Sequence, residues 1–423
     1  MSEADNYRVK QWTPPARPDW VKRINEEGRC LDLKAVIPLD EESLIAHARR
    51  NTGLSDFGSD DWREPFQVFI KALDQEADLN LMGRLMTRSD ILMNLEARLW
   101  VEDTYKRHPE INDIALSPPV NIIGSGRSGT SAILNLLSMD PDNSIVRTWE
   151  AYFPCAPADR AADGSNHFID LADKRITQWN RVTPDIMSMH EFSGEIPTEL
   201  IQVECLAFQS NGWLDLYGFV PAYDAYLAAR GFEASLSYAK RVLKLLQWKN
   251  PRKRWILKSP DTMRYMKDLF KVFPDMQLVW MHRDPIKCVS SMVSLVGTLF
   301  WIRSDQALSA QAIAQLTNPA GLAGLFGLVM DQVDQGIIPA DRLHAVQYLD
   351  FVADPVKTVE SLYRHLGFPL SRAALKTMSD YLHNHPREAR PAHRYSTGDA
   401  ERQSAERKLF ERYQTRFGVQ SES

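Results

Sequence analysis

The stretch "VNIIGSGRSGTS", from Val120 to Ser131, decides which fold the chain can adopt. A short β-branched segment passes through three glycines into "AILNLL", an apolar run typical of a helix. A glycine-rich turn between a strand and a helix gathers backbone N–H groups and the positive end of the helix dipole, where an anion can bind. The stretch therefore predicts a phosphate-binding loop.

Two familiar nucleotide templates fit the glycines of this loop to different degrees. A Walker A loop needs a lysine after its last glycine, but Thr130 follows Gly129, so the charge that holds a terminal phosphate is missing. The dinucleotide fingerprint G-x-G-x-x-G is complete at Gly124, Gly126 and Gly129. Glu150, at the end of the predicted strand "SIVRTWE", could be its acidic residue. An NAD(P)-dependent oxidoreductase is therefore an open alternative.

A third template is a loop for a mononucleotide that carries a terminal anion. Arg127 would supply positive charge, and the backbone N–H groups at the helix start would complete the site. The hydroxyl groups of Ser128, Thr130 and Ser131 favour this template, because dinucleotide loops usually have small apolar residues there. The loop by itself does not decide between the last two templates.

Two cations further along the chain favour the mononucleotide. Lys258 and Arg283 each follow a predicted strand, "WILK" and "QLVWMH", and the carboxyl ends of parallel strands are where an open α/β sheet binds its ligands. Ser291 lies eight residues after Arg283 on a helix that begins with proline. A guanidinium and a hydroxyl together can bind a second phosphate. Two separate anion sites suit a nucleotide with phosphates at both ends of its ribose.

In these motifs the sequence resembles the sulfotransferases that use 3′-phosphoadenosine 5′-phosphosulfate (PAPS). The resemblance covers about residues 118–420. It is greatest to a large bacterial group with a helical N-terminal extension, and the loops also resemble the tyrosylprotein sulfotransferases. It implies PAPS as co-substrate, bound by Gly126, Arg127, Ser128, Gly129, Thr130 and Ser131 at its 5′ end, by Arg283 and Ser291 at its 3′-phosphate, by Tyr348 beside the adenine and by Arg394 at a phosphate.

The same resemblance implies a set of catalytic residues. Sulfuryl transfer, by analogy with phosphoryl transfer, depends on positioning and electrostatics, so Lys258 would stabilise the charge that develops on the transferred group. Glu150 matches the catalytic glutamate of the tyrosylprotein enzymes. Where relatives carry a histidine this chain has Asp261 and Thr262, which makes His190 the second candidate for the base that takes the acceptor's proton.

The remaining pattern predicts an α/β protein with a P-loop-type parallel sheet flanked by helices. Residues 1–115 form a helical N-terminal extension, and residues 116–423 form the sulfotransferase-like α/β domain. Short β-rich segments alternate with helical ones in this second part, which is the pattern of a parallel sheet with crossover helices. Helical insertions at about 165–250 and 292–340 interrupt it and would lie over the strand ends.

Composition narrows the partners. A net charge of −5 gives no reason to expect nucleic acid, and we expect no metal because sulfuryl transfer needs none. The first residues contain no apolar core of a signal peptide, and the longest apolar run, "GLAGLFGLVM", is too short to span a bilayer. We therefore expect a cytoplasmic protein, with contact at a membrane surface left open.

The acceptor is constrained only by the composition of the insertions. They are rich in Trp, Phe, Tyr and Met, which favours a small-molecule or lipid acceptor, although a sugar also fits because aromatic rings stack on sugars. A non-catalytic protein that binds the nucleotide is the alternative outside the enzyme class.

Overall fold

A five-stranded parallel sheet forms the centre of the molecule, in a computed structural model that describes residues 12–156, 165–386 and 395–422. The strands lie in the order β2-β3-β1-β4-β5, and each hydrogen-bonded pair is parallel. The predicted α/β fold with a P-loop-type parallel sheet is confirmed. The strands are β1 Pro119–Ile123, β2 Asn143–Ser144, β3 Arg254–Lys258, β4 Gln277–His282 and β5 Leu343–Gln347.

Helices surround this sheet and precede it. Before β1 lie α1 Asp19–Gly28, α2 Leu33–Val36, α3 Glu41–Thr52, α4 Arg63–Glu76 and α5 Leu81–Arg107. Between β1 and β3 lie α6 Thr130–Leu137, α7 Thr148–Tyr152, α8 His167–Ile176, α9 Gln178–Val182, α10 Leu200–Glu204, α11 Pro221–Arg230 and α12 Glu233–Lys249. After β3 come α13 Met266–Val272, α14 Pro285–Trp301, α15 Ala310–Leu316, α16 Pro319–Asp334, α17 Tyr348–Ala353, α18 Pro355–Leu366, α19 Arg372–Asn384, α20 Ala400–Leu409 and α21 Glu411–Phe417.

Alternate residues of the central strands face opposite sides of the sheet, and both sides are buried. On one side the sheet packs against α6 and α18, and on the other against the helices that precede the sheet and those of the insertions. The first side carries Val120, Ile122, Ile256, Val279 and Met281, and the second carries Ile123, Trp255, Leu257, Leu278 and Trp280. This double burial explains the nearly continuous apolar sequence of the strands.

The N-terminal helices share their hydrophobic core with the α/β part. One cluster of buried residues runs from Val21 in α1 to Val419 beyond α21. Arg98 in α5 is fully buried, and its guanidinium donates to the carbonyl of Leu206 (3.1 Å) and lies 4.1 Å from the centre of the Tyr238 ring. The helical segment before residue 116 therefore packs as part of one body with the sheet, and its treatment as a separate domain stays a prediction.

The predicted strand "SIVRTWE" is wrong beyond its first residue. Only Asn143–Ser144 pairs with β3, and Thr148–Tyr152 is a helix. The side chain of Glu150 caps the start of this helix by accepting a hydrogen bond from the backbone N–H of Arg147 (2.9 Å). This capping interaction competes with sheet pairing. The backbone N–H of Thr148 donates to the carbonyl of Ile196 (3.1 Å), which draws the chain away from the sheet.

One helical stretch, Ala310–Asp334, is long and apolar enough by length and composition to cross a membrane, whereas the sequence alone predicted none. The apolar run "GLAGLFGLVM" alone is too short to cross a bilayer, but the helical stretch that contains it has 25 residues. Its apolar window has a mean hydropathy of 1.3 and is 22% buried, and Leu316 and Leu328 are exposed. Pro319 begins α16 within this stretch.

Glu204 provides a test of the core through the pH dependence of stability. Its carboxyl group is fully buried, with one oxygen bonded to Ser235 (3.2 Å), and burial raises its pKa to about 8. A pKa raised on folding gives stability that is complete below the unfolded value and is lost as the pH rises through the folded value. Glu204→Gln should therefore stabilise the protein on the order of 3 kcal/mol at pH 7 and much less at pH 5.

Urea unfolding of both proteins at pH 5 and at pH 7 measures this difference. The exposed Glu360→Gln variant is the control and should show no such pH dependence. An equal effect of Glu204→Gln at both pH values would contradict the prediction.

Candidate active site

The glycine loop after β1 has the strained backbone that its sequence indicates. Gly124 and Gly129 have φ angles of +144° and +96°, and Arg127 between them is also left-handed at +70°. A Cβ atom at Gly129 would lie 2.9 Å from the ring of Tyr348, and one at Gly126 would lie 2.5 Å from the sulfur of Met292. A side chain at Gly129 would face both a left-handed backbone and the Tyr348 ring, and one at Gly126 would displace the flexible end of Met292, so the loop forms a narrow cradle that leads directly into α6.

Ser128 in this loop has an unsatisfied hydroxyl group. Its side chain is fully buried, and its Oγ has no hydrogen-bond partner among residues 12–156, 165–386 and 395–422. A buried hydroxyl without a partner costs free energy, and an anion bound in the loop would satisfy it. The cradle and the orphaned hydroxyl both fit the 5′ end of PAPS.

The sheet brings the cations of separate motifs to the edge where the loop lies. Lys258 is the last residue of β3, and Arg283 directly follows β4. Arg283 donates to the backbone carbonyl of Arg127 (2.8 Å), and Arg127 donates through Nε to the hydroxyl of Ser291 (3.1 Å). Tyr348, directly after β5, has its ring centre 4.0 Å from the Arg283 guanidinium. The structure thus places the two predicted anion-binding motifs side by side.

Arg127 and Arg283 have different electrostatic environments. Burial lowers the pKa of Arg127, and the positive charge of Arg283 acts in the same direction. Burial has the largest single effect on the pKa of Arg283 and lowers it, but the hydrogen bonds to Glu422 and the interactions with nearby acidic groups together outweigh burial, so the pKa is raised. Both Arg283–Glu422 bonds are short, at 2.8 and 2.9 Å. The site is therefore rich in positive charge, part of which is neutralised by a carboxylate within the chain.

A cavity of about 130 Å³ opens beside the loop. Arg127 links the loop to the wall of this cavity by donating to the backbone carbonyl of Met189 in the first insertion. Its lining combines polar and apolar residues. The polar ones include Arg127, Ser131, His190, Glu199 and Lys258, and the apolar ones include Leu134, Ile176, Phe192, Ile196 and Trp213.

Lys258, Glu199 and His190 form a cluster in this cavity. The ammonium group of Lys258 donates to Glu199 Oε1, and both side chains are mostly buried. His190 Nδ1 lies 2.9 Å from the backbone carbonyl of Glu191, which can only accept, so Nδ1 carries the proton and Nε2 is an acceptor. That Nε2 lies 4.0 Å from Glu199 Oε1. Two acceptors therefore lie close together, and a hydroxyl group placed beside them can donate its single proton to one of them.

Burial lowers the pKa of His190 to about 4, and the charge of Lys258 acts in the same direction. The imidazole is therefore neutral near pH 7. Its ring stacks on Phe192, with centres 4.5 Å apart, which fixes its orientation at the cavity wall.

Glu150 lies outside this cluster. Its carboxylate is bound to the backbone N–H of Arg147 at the start of α7, and it does not line the cavity. Burial raises its pKa. The contact observed for Glu150 is the helix-capping one, and its catalytic role stays a prediction. Arg394 lies outside the described residues.

Sequence reasoning missed two carboxylates of the site, Glu199 and Glu422. Glu199 lies at the start of α10 in "EIPTEL", where nothing in the local pattern distinguishes it from a surface residue. Glu422 lies far along the chain from the loop, in a segment without a motif. Both reach the site only through long-range packing. Among the described residues, no group of three or more His, Cys, Asp and Glu side chains could hold a metal ion.

Comparison with known proteins finds that the chain is similar to sulfotransferases. The chain is 24% identical over 303 residues to omega-hydroxy-beta-dihydromenaquinone-9 sulfotransferase Stf3 of Mycobacterium tuberculosis (strain CDC 1551 / Oshkosh). The aligned residues cover 68% of this chain and 72% of Stf3. Its fold is similar to that of sulfotransferase STF1 from Mycobacterium tuberculosis H37Rv, with a TM-score of 0.73 and 26% identity over 88% of this chain and 98% of STF1. It is also similar to sulfotransferase STF9 from Mycobacterium avium, with a TM-score of 0.77 and 23% identity over 90% of this chain and 98% of STF9.

The family comparison decides between the two templates that the glycine loop left open. The sulfotransferase family matches residues 118–372, which is more than half of the chain and includes the loop, both strand-end cations and Tyr348. The predicted enzyme class is thereby confirmed. The chain belongs to the sulfotransferase family and is an enzyme of sulfuryl transfer.

Proposed function

We propose that this sulfotransferase binds PAPS along the carboxyl edge of its sheet and transfers the sulfuryl group to a hydroxyl of an apolar or amphipathic acceptor. The observation that carries the proposal is the convergence of Arg127, Lys258 and Arg283 on one glycine cradle. These cations come from three different strand ends, and an anionic ligand with two separated charged groups accounts for their placement.

The residues of the donor site divide into two groups. The cradle of Gly126, Gly129 and the first amides of α6, together with the orphaned hydroxyl of Ser128, fits the 5′-phosphosulfate. Arg283 and Ser291 fit the 3′-phosphate, because a guanidinium offers paired donors that match phosphate oxygens. We assign Thr130 and Ser131, at the start of α6, to the first group.

PAPS supplies the sulfuryl group, held on a phosphate that leaves once the group is transferred. Arg127 and Lys258 line the cavity, where they stabilise negative charge that develops during the transfer. Both side chains are mostly buried, so their charges act at low effective dielectric. The chain's contribution is thus positioning and fixed charge.

Glu199 is the residue we assign as general base. Its Oε1 faces the cavity beside His190 Nε2, so an acceptor hydroxyl placed between them can donate to either. Protonated His190 would be a cation beside Lys258 and Arg127, and both of these charges already lower its pKa. Proton transfer to Glu199 neutralises a charge instead of creating one. Lys258 then exchanges its bond to Glu199 for the transferred group.

The acceptor class is inferred from the apolar residues of the cavity. Five apolar side chains line the same cavity as the catalytic cluster: Leu134, Ile176, Phe192, Ile196 and Trp213. The relative Stf3 is named for an omega-hydroxylated dihydromenaquinone. We therefore infer a lipid or other small apolar alcohol as acceptor, and the exposed apolar face of Ala310–Asp334 is compatible with its delivery from a membrane surface.

Calorimetric titration with adenosine 3′,5′-bisphosphate tests the donor site. Arg283→Ala should weaken bisphosphate binding at least tenfold, since a charge-assisted contact contributes about 1.5–3 kcal/mol. Binding of adenosine 5′-monophosphate should change by less than about threefold, because it lacks the 3′ group. The exposed Arg372→Ala variant is the charge-matched control. Unchanged bisphosphate binding, or binding of NAD in its place, would contradict the proposal.

Glu199→Gln tests the base. We expect turnover with PAPS and a hydroxylated lipid to fall about 10²–10⁴-fold, the usual contribution of general base catalysis. Affinity for adenosine 3′,5′-bisphosphate should be kept, which separates lost chemistry from lost folding. Glu150→Gln is the comparison, and we expect it to lose less than about tenfold. The reverse order of the two losses would move the role of base to Glu150.

A further inference from the structure

The site predicted for the 3′-phosphate already holds a carboxylate of this chain. Glu422 accepts from Arg283 Nε at 2.8 Å and from its terminal NH2 group at 2.9 Å, a two-pronged pairing. The side chains of Arg283 and Glu422 are only 13% and 15% exposed. A fork of two parallel bonds to a partly buried carboxylate is the geometry in which a guanidinium also binds phosphate.

Three of the five N–H donors of Arg283 are used within the chain. Its remaining terminal nitrogen donates to the backbone carbonyl of Arg127 (2.8 Å), and Tyr348 covers the plane of the guanidinium. Every nitrogen of the group therefore has a partner within the chain. A phosphate can bind Arg283 through the same two nitrogens only after Glu422 has left.

The segment that carries Glu422 is held by few other contacts. The backbone N–H of Glu422 donates to Asp284 Oδ2 (2.8 Å), and Asp284 is fixed by two bonds from Arg407, of 3.0 and 2.9 Å. Val419 is buried, but the residues at 420 and 421 are exposed. A short segment held by one buried apolar anchor, one ion pair and a few hydrogen bonds, two of them from the side chain of Gln414, can leave the site without loss of the core.

We propose that the segment 420–422 is an intramolecular competitor of the sulfuryl donor, with the Glu422 carboxylate occupying the 3′-phosphate position on Arg283. The inference rests on the proposed function, because it assumes that Arg283 binds the 3′-phosphate. The donor binds only to the fraction of molecules in which the segment is displaced, so its apparent affinity is reduced by that fraction. Any ligand or partner that holds the segment away would raise the affinity of the enzyme for its donor.

Calorimetric titration of the full chain and its Glu422→Gln variant with adenosine 3′,5′-bisphosphate tests the competition. An amide is a weaker partner of Arg283 than a carboxylate, so the variant should bind the bisphosphate about tenfold tighter. Adenosine 5′-monophosphate, which does not need Arg283, should bind both proteins equally. Glu411→Gln removes the same charge from the exposed start of α21 and should leave both affinities unchanged.

Hydrogen exchange gives a second readout that involves no turnover. In the chain without nucleotide the amide of Glu422 is bonded to Asp284, so it should exchange slowly. Saturating bisphosphate should accelerate exchange at residues 420–422 if the segment is displaced. Saturating adenosine 5′-monophosphate should not.

The outcomes separate this inference from the proposed function. If bisphosphate binding requires Arg283 but Glu422→Gln leaves it unchanged or weakens it, Glu422 orients Arg283 instead of competing, and the inference is overturned while the donor site stands. If the bisphosphate binds neither protein, or binds without need of Arg283, both the donor site and the competition are wrong. Protection of residues 420–422 by the bisphosphate would also overturn the inference.

Discussion

The site depends on one electrostatic constraint, which is that two guanidinium groups lie partly buried at the same edge of a parallel sheet. Arg127 and Arg283 are brought together because β1 and β4 are adjacent and parallel, so their carboxyl ends meet. Charges of one sign in a partly desolvated place require counter-charge. The left-handed loop, the hydroxyl of Ser291 and the carboxylate of Glu422 are all arranged around that requirement.

The third cation at this edge of the sheet, Lys258, has a different counter-charge. Lys258 is buried at the end of β3 and is paired with Glu199 from the first insertion. Both side chains line the cavity beside the glycine loop. Under the proposed function, the ammonium group serves the transferred group and its carboxylate partner serves the acceptor. The insertion therefore does more than cover the sheet, because it also supplies Glu199 and His190 to the lining of the cavity.

Local patterns predicted the fold and the cationic half of the site. Gly124 to Ser131, Lys258 and Arg283 belong to strand-to-loop motifs whose function is encoded in adjacent residues, and parallel topology fixes where they meet. The carboxylate half was not predictable in this way. Glu150 was placed on a strand because its neighbours are β-branched and aromatic, but its own side chain caps a helix there. Glu199 and Glu422 reach their cations only through contacts between distant parts of the chain.

Both carboxylates stand where anionic groups of the donor are expected, so donor binding exchanges ion pairs within the chain for ion pairs with the ligand. The affinity for the donor is then the difference between the free energy of the ion pairs with the ligand and that of the ion pairs within the chain. It depends on the carboxylate within the chain as much as on the cation. The two carboxylates have different roles after the exchange. Glu199 is anchored in α10 at the cavity and, once Lys258 turns away, is left beside the acceptor hydroxyl with an unpaired oxygen. Glu422 does not line the cavity, so its displacement adds no group to the chemistry. Under the two proposals, one internal ion pair prepares a base, and the other only opposes binding.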